Sequence, residues 1–405
     1  MDRTILHCDL NGFFASVELL SHPELSDKPV AVCGNPENRH GIILAKNEIA
    51  KAYNVKTAET IWQAKKKCPD LVLLPPHHEL YSYYSKKINE IYLRFTNQVE
   101  PFGIDESWLD VTNSKMLFGD GKKIADTIRE VIKKEFNLTV SVGVSFNKVF
   151  AKLGSDYKKP DATTVISKEN FKQIVFPLPA SDLLYVGKSV LAKLKSIGIK
   201  TIGDIAACDR EMLIKLLGKH GAMLYEYATG EDNSPVLDYY HRPEIKSVGN
   251  GTTFPHDLTE LDEIKSGIMQ LCETISQRLI KYGFKAGNLQ VSAKYANFKT
   301  INRQAPLIRP TLSAIELYNA AIDIITVSDI LQKPIRTLTV TAGALCNSDS
   351  EIQLSIIDED NENHKKHEML AKTVSKINTK FGTGKVSSAR TSNISPGNKQ
   401  QKHQS

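Results

Sequence analysis

The amino-acid sequence predicts a multidomain α+β fold whose first domain has the ferredoxin-like order of elements. Three observations carry that expectation. Strand and helix periodicities alternate through residues 4–167, residues 168–230 read as helix, and alternation resumes from residue 245. At 405 residues the chain exceeds one ordinary core, which points to two to four domains.

In order, Thr4 to Leu10 is an apolar strand, Phe13 to Leu20 a short helix, and Pro29 to Cys33 with Gly41 to Leu44 form two further strands. Helices are expected over Lys46 to Tyr53, Thr60 to Cys68 and Glu79 to Asn97. Val99 to Phe102 and Ser107 to Val111 then flank an acidic turn as an antiparallel hairpin. Ile124, Ile128, Val131 and Ile132 mark a helix over Lys122 to Phe136, and Thr139 to Ser145 alternates as a strand. Strand, helix, hairpin, helix, strand leaves one sheet face packed on helices and the other free for a substrate.

Within the helical block, Tyr185 to Asp204 reads as two short helices joined through a glycine turn, a helix-hairpin-helix whose backbone N–H groups suit phosphate oxygens. Residues 231–244 read as a polar linker. A small α/β domain over residues 245–345 follows, with strands at Lys246 to Thr253, Asn288 to Tyr295 and Ile335 to Ala344 and helices at Leu261 to Tyr282 and Ala314 to Ile325. Residues 346–405 form a C-terminal tail with a short apolar segment and one amphipathic helix. That helix carries Leu370, Val374, Ile377 and Phe381 on one face, with Lys372, Lys376 and Lys380 spaced by four. The stretch from Ser387 has a disordered composition.

The balance of 41% hydrophobic and 24% charged residues is that of a soluble globular protein, and a formal net charge of +6 permits nucleic-acid binding without requiring it. Neither a signal region nor a membrane-spanning run is evident, so a cytoplasmic location is expected. Cys8, Cys33, Cys68, Cys208, Cys272 and Cys346 are scattered without a Cys-x-x-Cys pair, which argues against a zinc site or a disulfide framework.

The chemistry sits in three acids. Asp105 and Glu106 occupy the turn of the hairpin, and Asp9 ends the first strand at a crowded junction with Leu10-Asn11-Gly12-Phe13-Phe14. Each acid alone would be an ordinary turn or cap residue. Together, three carboxylates can hold two divalent ions, the standard device for in-line nucleotidyl transfer. Asp110, farther along the hairpin strand, reads as structural.

Three segments carry a resemblance: His7 to Glu18, Gly103 to Asp110 and Gly143 to Pro160. In this order they resemble the core motifs of Y-family translesion DNA polymerases, most closely the bacterial DNA polymerase IV group, and the likeness spans nearly the whole chain. It implies a palm and fingers core over residues 1–167, a thumb with the helix-hairpin-helix over 168–230, and a little-finger DNA-binding domain over 245–345. It further implies DNA-directed DNA synthesis at a primer 3′ end with low processivity, in damage tolerance and repair, by a monomer. The cofactor would be two Mg²⁺ ions, and the partners primer-template DNA, deoxynucleoside triphosphates and a sliding clamp.

Carried over residue by residue, Asp9 and Asp105 resemble the metal-binding aspartates and Glu106 the catalytic, metal-contacting glutamate. Leu10 would lend a backbone carbonyl. Phe14 matches the steric gate that excludes a ribose 2′-hydroxyl, while Phe13 reads as core. Lys159 matches a lysine that meets the triphosphate. Where the family usually has tyrosine and arginine in the fingers, this chain has Glu48 and Lys51, so Lys46 and Lys51 are the expected substitutes. Asn11 stands where many members carry another aspartate, and Gly103 where serine is frequent. Gln353, Leu354, Ile356 and Ile357 resemble a sliding-clamp-binding peptide. Two other readings are a nucleotide cyclase, which needs no duplex grip, and a non-catalytic DNA- and clamp-binding relative whose altered fingers contacts include Glu48.

Overall fold

The computed structural model describes residues 3–34, 41–241, 244–348, 361–382, 385–386 and 389. The chain forms two compact units, Met1–Arg242 and Pro243–Ser405.

The first unit begins with β1 (Ile5–Leu10) and α1 (Phe13–Ser21), followed by β2 (Val30–Cys33), β3 (Ile43–Lys46), α2 (Glu48–Ala52), α3 (Ile61–Lys67) and β4 (Val72–Leu74). It continues with α4 (His78–Tyr92), β5 (Val99–Pro101), β6 (Glu106–Asp110), α5 (Lys115–Phe118), α6 (Gly121–Phe136), β7 (Val140–Ser145), α7 (Lys148–Tyr157) and β8 (Thr163–Ile166). The helices α8 (Phe171–Val175), α9 (Lys188–Ser196), α10 (Ile202–Ala207), α11 (Arg210–Leu217) and α12 (Lys219–Thr229) complete it.

A five-stranded sheet in the order β5-β6-β1-β7-β8 holds β1 at its centre, antiparallel to both β6 and β7. Two-residue alternation divides β1 between two layers. Leu6, Cys8 and Leu10 share a core with Tyr81, Ile88 and Ile91 of α4 and Ile124, Ile128 and Ile132 of α6. Ile5 instead packs with Trp108 and Ala151, so Ile5, His7 and Asp9 belong to the side covered by α7. Gly143 makes that approach possible. A Cβ on it would overlap the Ala151 carbonyl oxygen and the Ser155 backbone nitrogen. Helix α7 is set off by Asn147, whose side-chain oxygen accepts from Phe150 N at 2.7 Å.

A second, small sheet in the order β3-β2-β4 is covered by α2 and α3 around Ala31, Cys33, Ile43, Ala50, Val55, Ala64 and Cys68. The helices α8 to α12 enclose their own core, to which Val149, Phe150 and Leu153 of α7 contribute. Helices α9 and α10 are joined through Gly198, whose φ of 86° lies in the left-handed region that favours glycine. Thr201 and Asp204 then cap α10 reciprocally.

In the second unit β9 (Val248–Leu258), α13 (Leu261–Tyr282), β10 (Phe284–Tyr295), β11 (Thr300–Thr311), α14 (Ala314–Thr326), β12 (Ile335–Asn347) and α15 (Asn361–Phe381) form a four-stranded antiparallel sheet, order β11-β10-β12-β9, under a helical layer. Its core runs through Ile268, Cys272, Ile275, Leu279, Leu289, Val291, Leu317, Ala321, Leu338 and Val340.

The mixed α+β architecture agrees with the expected class, and the departures have local causes. Helix α4 stops at Tyr92 rather than Asn97, because Thr96 Oγ1 donates to the Asp110 carbonyl at 2.8 Å and the Phe95 carbonyl accepts from Ser114 at 2.7 Å, drawing that stretch to the hairpin. Strands β4 and β8 have three and four residues, too few to display a period. Strand β11 carries Pro306 and Pro310, which an edge position tolerates. Residues 231–241 are no free linker: Val236 is buried beside Ile5 and Trp108, the Ser234 carbonyl accepts from Arg3, and the Leu237 N–H donates to Glu100. The amphipathic helix expected in the C-terminal region forms as α15. It lies on α13 and α14, with His364 Nδ1 2.9 Å from Glu316 and the Lys285 ammonium 3.0 Å from Glu368. The expected clamp-binding residues Gln353, Leu354, Ile356 and Ile357, and the stretch beyond residue 389, lie outside the described residues.

Candidate active site

Sheet register assembles the acids. Asp9 of β1 and Glu106 of β6 are direct cross-strand partners, and the Leu10 N–H donates to the Asp105 carbonyl at 3.1 Å, so the three acids converge where the two strands meet. Like charges directly opposite each other on a sheet repel, which makes this edge unfavourable without cations.

Two lysines from the α7 side supply them. Lys159 Nζ lies 2.6 Å from Asp9 Oδ2 and 2.7 Å from Asp156 Oδ1. Lys152 donates to Glu106 Oε2 and sits over the Phe102 ring, 5.5 Å from its centroid. His7, fully buried, places Nε2 3.2 Å from the same Glu106 oxygen, off the alignment of a hydrogen bond, while its Nδ1 meets Ser155 Oγ at 2.8 Å. Asn11 anchors the loop that brings Lys159 in. Its amide donates to Ser141 at 2.9 Å and its carbonyl oxygen accepts from Asp161 N at 2.9 Å.

Burial and charge set the protonation of this group. Burial pushes the Asp9 carboxyl up to about 6, although Lys159 pulls the other way. Asp105 is likewise raised by burial and by the Glu106 charge. Glu106 is also desolvated, yet His7 and Lys152 outweigh that and hold it down at about 2. Burial lowers His7 to about 4, so the imidazole is neutral at physiological pH. Burial opposes charge on Lys159, but Asp9 and Asp156 keep its ammonium above the usual lysine range.

A cavity of about 350 Å³ opens at this edge, and Asp9, Leu10, Phe14, Lys46, Lys51, Asp105, Glu106 and Lys159 all line it. Segments far apart in sequence thus meet in one place. A larger cavity, about 420 Å³, lies in the second unit between β11 and α14, but its charged lining is Glu316, Asp323, Arg309 and His367, with neither a third acid nor a lysine, so size does not select the site.

Phe13 is buried at 3% exposure, whereas the half-exposed Phe14 faces the cavity. The Phe14 ring lies flat on Tyr81, with centroids 4.0 Å apart and planes inclined by 13°. The Tyr81 hydroxyl donates to Glu18, a carboxylate at 2% exposure that also meets His77 Nδ1 at 3.0 Å. Lys46 donates to Thr57 Oγ1 at 3.2 Å, and burial together with Lys51 lowers its pKa. Glu48 is neutralised by Lys51 at 3.1 Å. Asp110 closes a turn, its Oδ1 accepting from Thr112 N at 2.9 Å.

The donor set suits hard divalent cations: three carboxylates, with the Leu10 backbone beside them, at a place where like charges oppose each other. Among the described residues the acids are not drawn in around a single point, since Glu106 and Asp9 lean toward Lys152 and Lys159. Of the residues that matter to this geometry, His7, Tyr81 and Glu18 have no role in the sequence reading, and Lys152, which reads there with Lys158 and Lys159 as an exposed basic helix end, instead meets Glu106. A histidine two residues before Asp9 and a lysine seven before Lys159 were the available signals.

Comparison with known proteins places these features in a family. The profile of the impB/mucB/samB family matches residues 8–156, and that of the impB/mucB/samB family C-terminal domain matches residues 245–356. The chain is 49% identical over 382 residues to DNA polymerase IV of Acetivibrio thermocellus, covering 94% of this chain and 96% of that protein. It is 35% identical over 393 residues to DNA polymerase IV of Clostridium kluyveri, covering 96% and 98%, and 35% identical over 387 residues to DNA polymerase IV 1 of Bacillus subtilis, covering 94% and 91%. Among solved structures, a Y-family DNA polymerase chimera, Dbh-Dpo4(243-245)-Dbh, shares the fold with a TM-score of 0.74 at 24% identity, over 85% of this chain and 99% of that one.

Proposed function

This chain belongs to the impB/mucB/samB family, together with the DNA polymerases IV, and from that membership we infer that it is a DNA-directed DNA polymerase of the translesion type. It adds deoxynucleotides to a primer 3′ end during damage tolerance and repair, and it uses a divalent metal. The observation that best supports the reading at the level of residues is the meeting of Asp9, Asp105, Glu106, Phe14 and Lys159 at one cavity.

Our proposal assigns the metal as two Mg²⁺ ions, held by Asp9, Asp105 and Glu106 with the Leu10 carbonyl. Such ions would supply Lewis-acid activation of the primer 3′-oxygen and positive charge for the leaving pyrophosphate. Each of the chain's own groups then has a separate task. Lys159 leaves Asp9 and pairs with the incoming triphosphate, because a flexible ammonium carries its charge from a carboxylate to a polyphosphate without leaving the cavity. Lys46, with Lys51 beside it, supplies further positive charge from the fingers side, replacing a bidentate guanidinium by separate point charges. The Phe14 ring, backed by Tyr81, fills the space a ribose 2′-hydroxyl would need. Lys152 keeps Glu106 ionised and pointed along the strand edge, with the neutral His7 imidazole beside the same oxygen.

In this proposal the enzyme works as a monomer and gains processivity from a sliding clamp through Gln353, Leu354, Ile356 and Ile357. A non-catalytic relative is not favoured: Glu48, which supported that reading, pairs with Lys51. No described helix is long and apolar enough to cross a membrane. Template-directed primer extension by the purified chain tests the activity, and the same assay on Asp9→Ala, Asp105→Ala and Glu106→Ala tests the site. Failure of the wild type to extend would overturn the reading.

A further inference from the structure

The outer surface of α2 and α3 is basic. Between Gly41 and Cys68 six lysines stand against two glutamates, a net charge of +4 over this short stretch. Both glutamates are already engaged, Glu48 by Lys51 and Glu59 by Lys67. Lys65 and Lys66 are exposed, and among the described residues neither has a carboxylate within ion-pair distance.

Trp62 stands among them, 70% exposed, with the Lys66 ammonium 5.6 Å from its ring centroid one turn along the helix. The other tryptophan, Trp108, is 3% exposed. Trp62 contributes little to any core, and scattered surface hydrophobes are ordinary. An exposed indole with the unpaired Lys66 at its ring and Lys65 next in the helix is another matter, because that combination offers a stacking face and phosphate-binding charge together.

Its position relative to the cavity gives the surface a direction. Thr57 lines the cavity and accepts from Lys46 there, and five residues on, the same chain segment presents Trp62. An extended chain of that length spans at most about 17 Å. The Thr60–Gln63 capping box fixes the start of α3, so Trp62 is held rather than loose. A template base paired with a nucleotide in the cavity continues into unpaired template, and a few nucleotides of single strand are long enough to cover the distance from the cavity to α3.

We propose that the exposed face of α3 binds the unpaired single-stranded template ahead of the primer end, with Trp62 stacking on a base and Lys65 and Lys66 meeting its phosphates. This rests on the polymerase reading. Aromatic stacking tolerates any base, which suits a template of arbitrary sequence, and phosphate contacts make the interaction salt-dependent.

The test compares primer-templates with a one-nucleotide and a ten-nucleotide template overhang by fluorescence anisotropy. Wild type should bind the longer overhang about five- to tenfold more tightly. Trp62→Ala should erase that gain, Trp62→Phe should restore most of it, and Lys65→Glu with Lys66→Glu should lower the salt dependence on the long overhang. All variants should bind and extend the one-nucleotide overhang as wild type does. Emission from Trp62 should be quenched by a single-stranded oligonucleotide, and Trp62→Phe should remove that response. Retention of the overhang gain by Trp62→Ala, or unquenched emission, would overturn the inference and leave the polymerase reading intact. A wild-type chain unable to extend even the one-nucleotide overhang would instead overturn that reading.

Discussion

The Phe14 ring lies flat on Tyr81, centroids 4.0 Å apart, while the Tyr81 hydroxyl is tied to the buried carboxylate of Glu18. The ring at the cavity wall is therefore supported from behind by a side chain that is itself fixed. Phe14→Ala should raise ribonucleotide incorporation about tenfold or more, which corresponds to about 1.4 kcal/mol of lost discrimination, with a small effect on deoxynucleotides. Tyr81→Phe keeps the stack but removes a donor from Glu18, so it should cost about 1–3 kcal/mol of stability with discrimination preserved. Steady-state kinetics with paired ribo- and deoxynucleotides and a denaturation midpoint separate the two effects. Unchanged discrimination in Phe14→Ala would place the gate elsewhere.

Removing Asp105 or Glu106 should abolish primer extension with little loss of DNA affinity. Either change deletes a carboxylate of the proposed ion site, whereas duplex grip comes from phosphate contacts at other surfaces. Single-turnover extension alongside a binding assay checks this, and near wild-type extension by either alanine variant would sink the assignment.

Divalent-ion binding should depend on pH through Asp9, whose carboxyl burial pushes to about 6, above its ordinary value near 3.8. Between those values the folded chain holds a proton that the unfolded chain has released. In the ion-free protein this contribution favours folding at low pH and is lost as pH rises through about 6. A cation prefers the ionised carboxylate, so the increase in melting temperature on adding Mg²⁺ should be larger at pH 8 than at pH 5.5. The acid side of this dependence should flatten in Asp9→Asn.

Gly143→Ala should destabilise the first unit by about 1–3 kcal/mol, because the added methyl overlaps the backbone of α7 and forces that helix away from the sheet. Activity should fall more than the stability loss implies, since α7 carries Lys152 to Glu106. Extension measured well below the melting temperature distinguishes displacement of α7 from simple unfolding.

Replacing Gln353, Leu354, Ile356 and Ile357 together with alanine should leave synthesis on bare primer-template unchanged and remove stimulation by a loaded clamp. Tethering raises local concentration without any new contact at the cavity. A variant defective on bare DNA would show that the segment belongs to the fold.

The three core motifs, the acids within them and the order of the longer elements are legible in the sequence, because each is a local pattern: an alternating strand, a helical period, an acidic hairpin turn. Phe13 and Phe14 are told apart in the sequence only through the family resemblance, and the structure buries the first and sets the second at the cavity. The tertiary structure decided what those patterns meet. Register alone sets Asp9 opposite Glu106, and only the close approach at Gly143 brings Lys152 and Lys159 to neutralise them across some fifty to 150 positions of chain. Val236 in a polar stretch and His364 in an apparent tail found partners the same way, through segments distant in sequence. Local periodicity fixes which face a residue occupies. Which charge or ring waits across that face is set by packing between distant segments, and no window along the chain contains both sides of it.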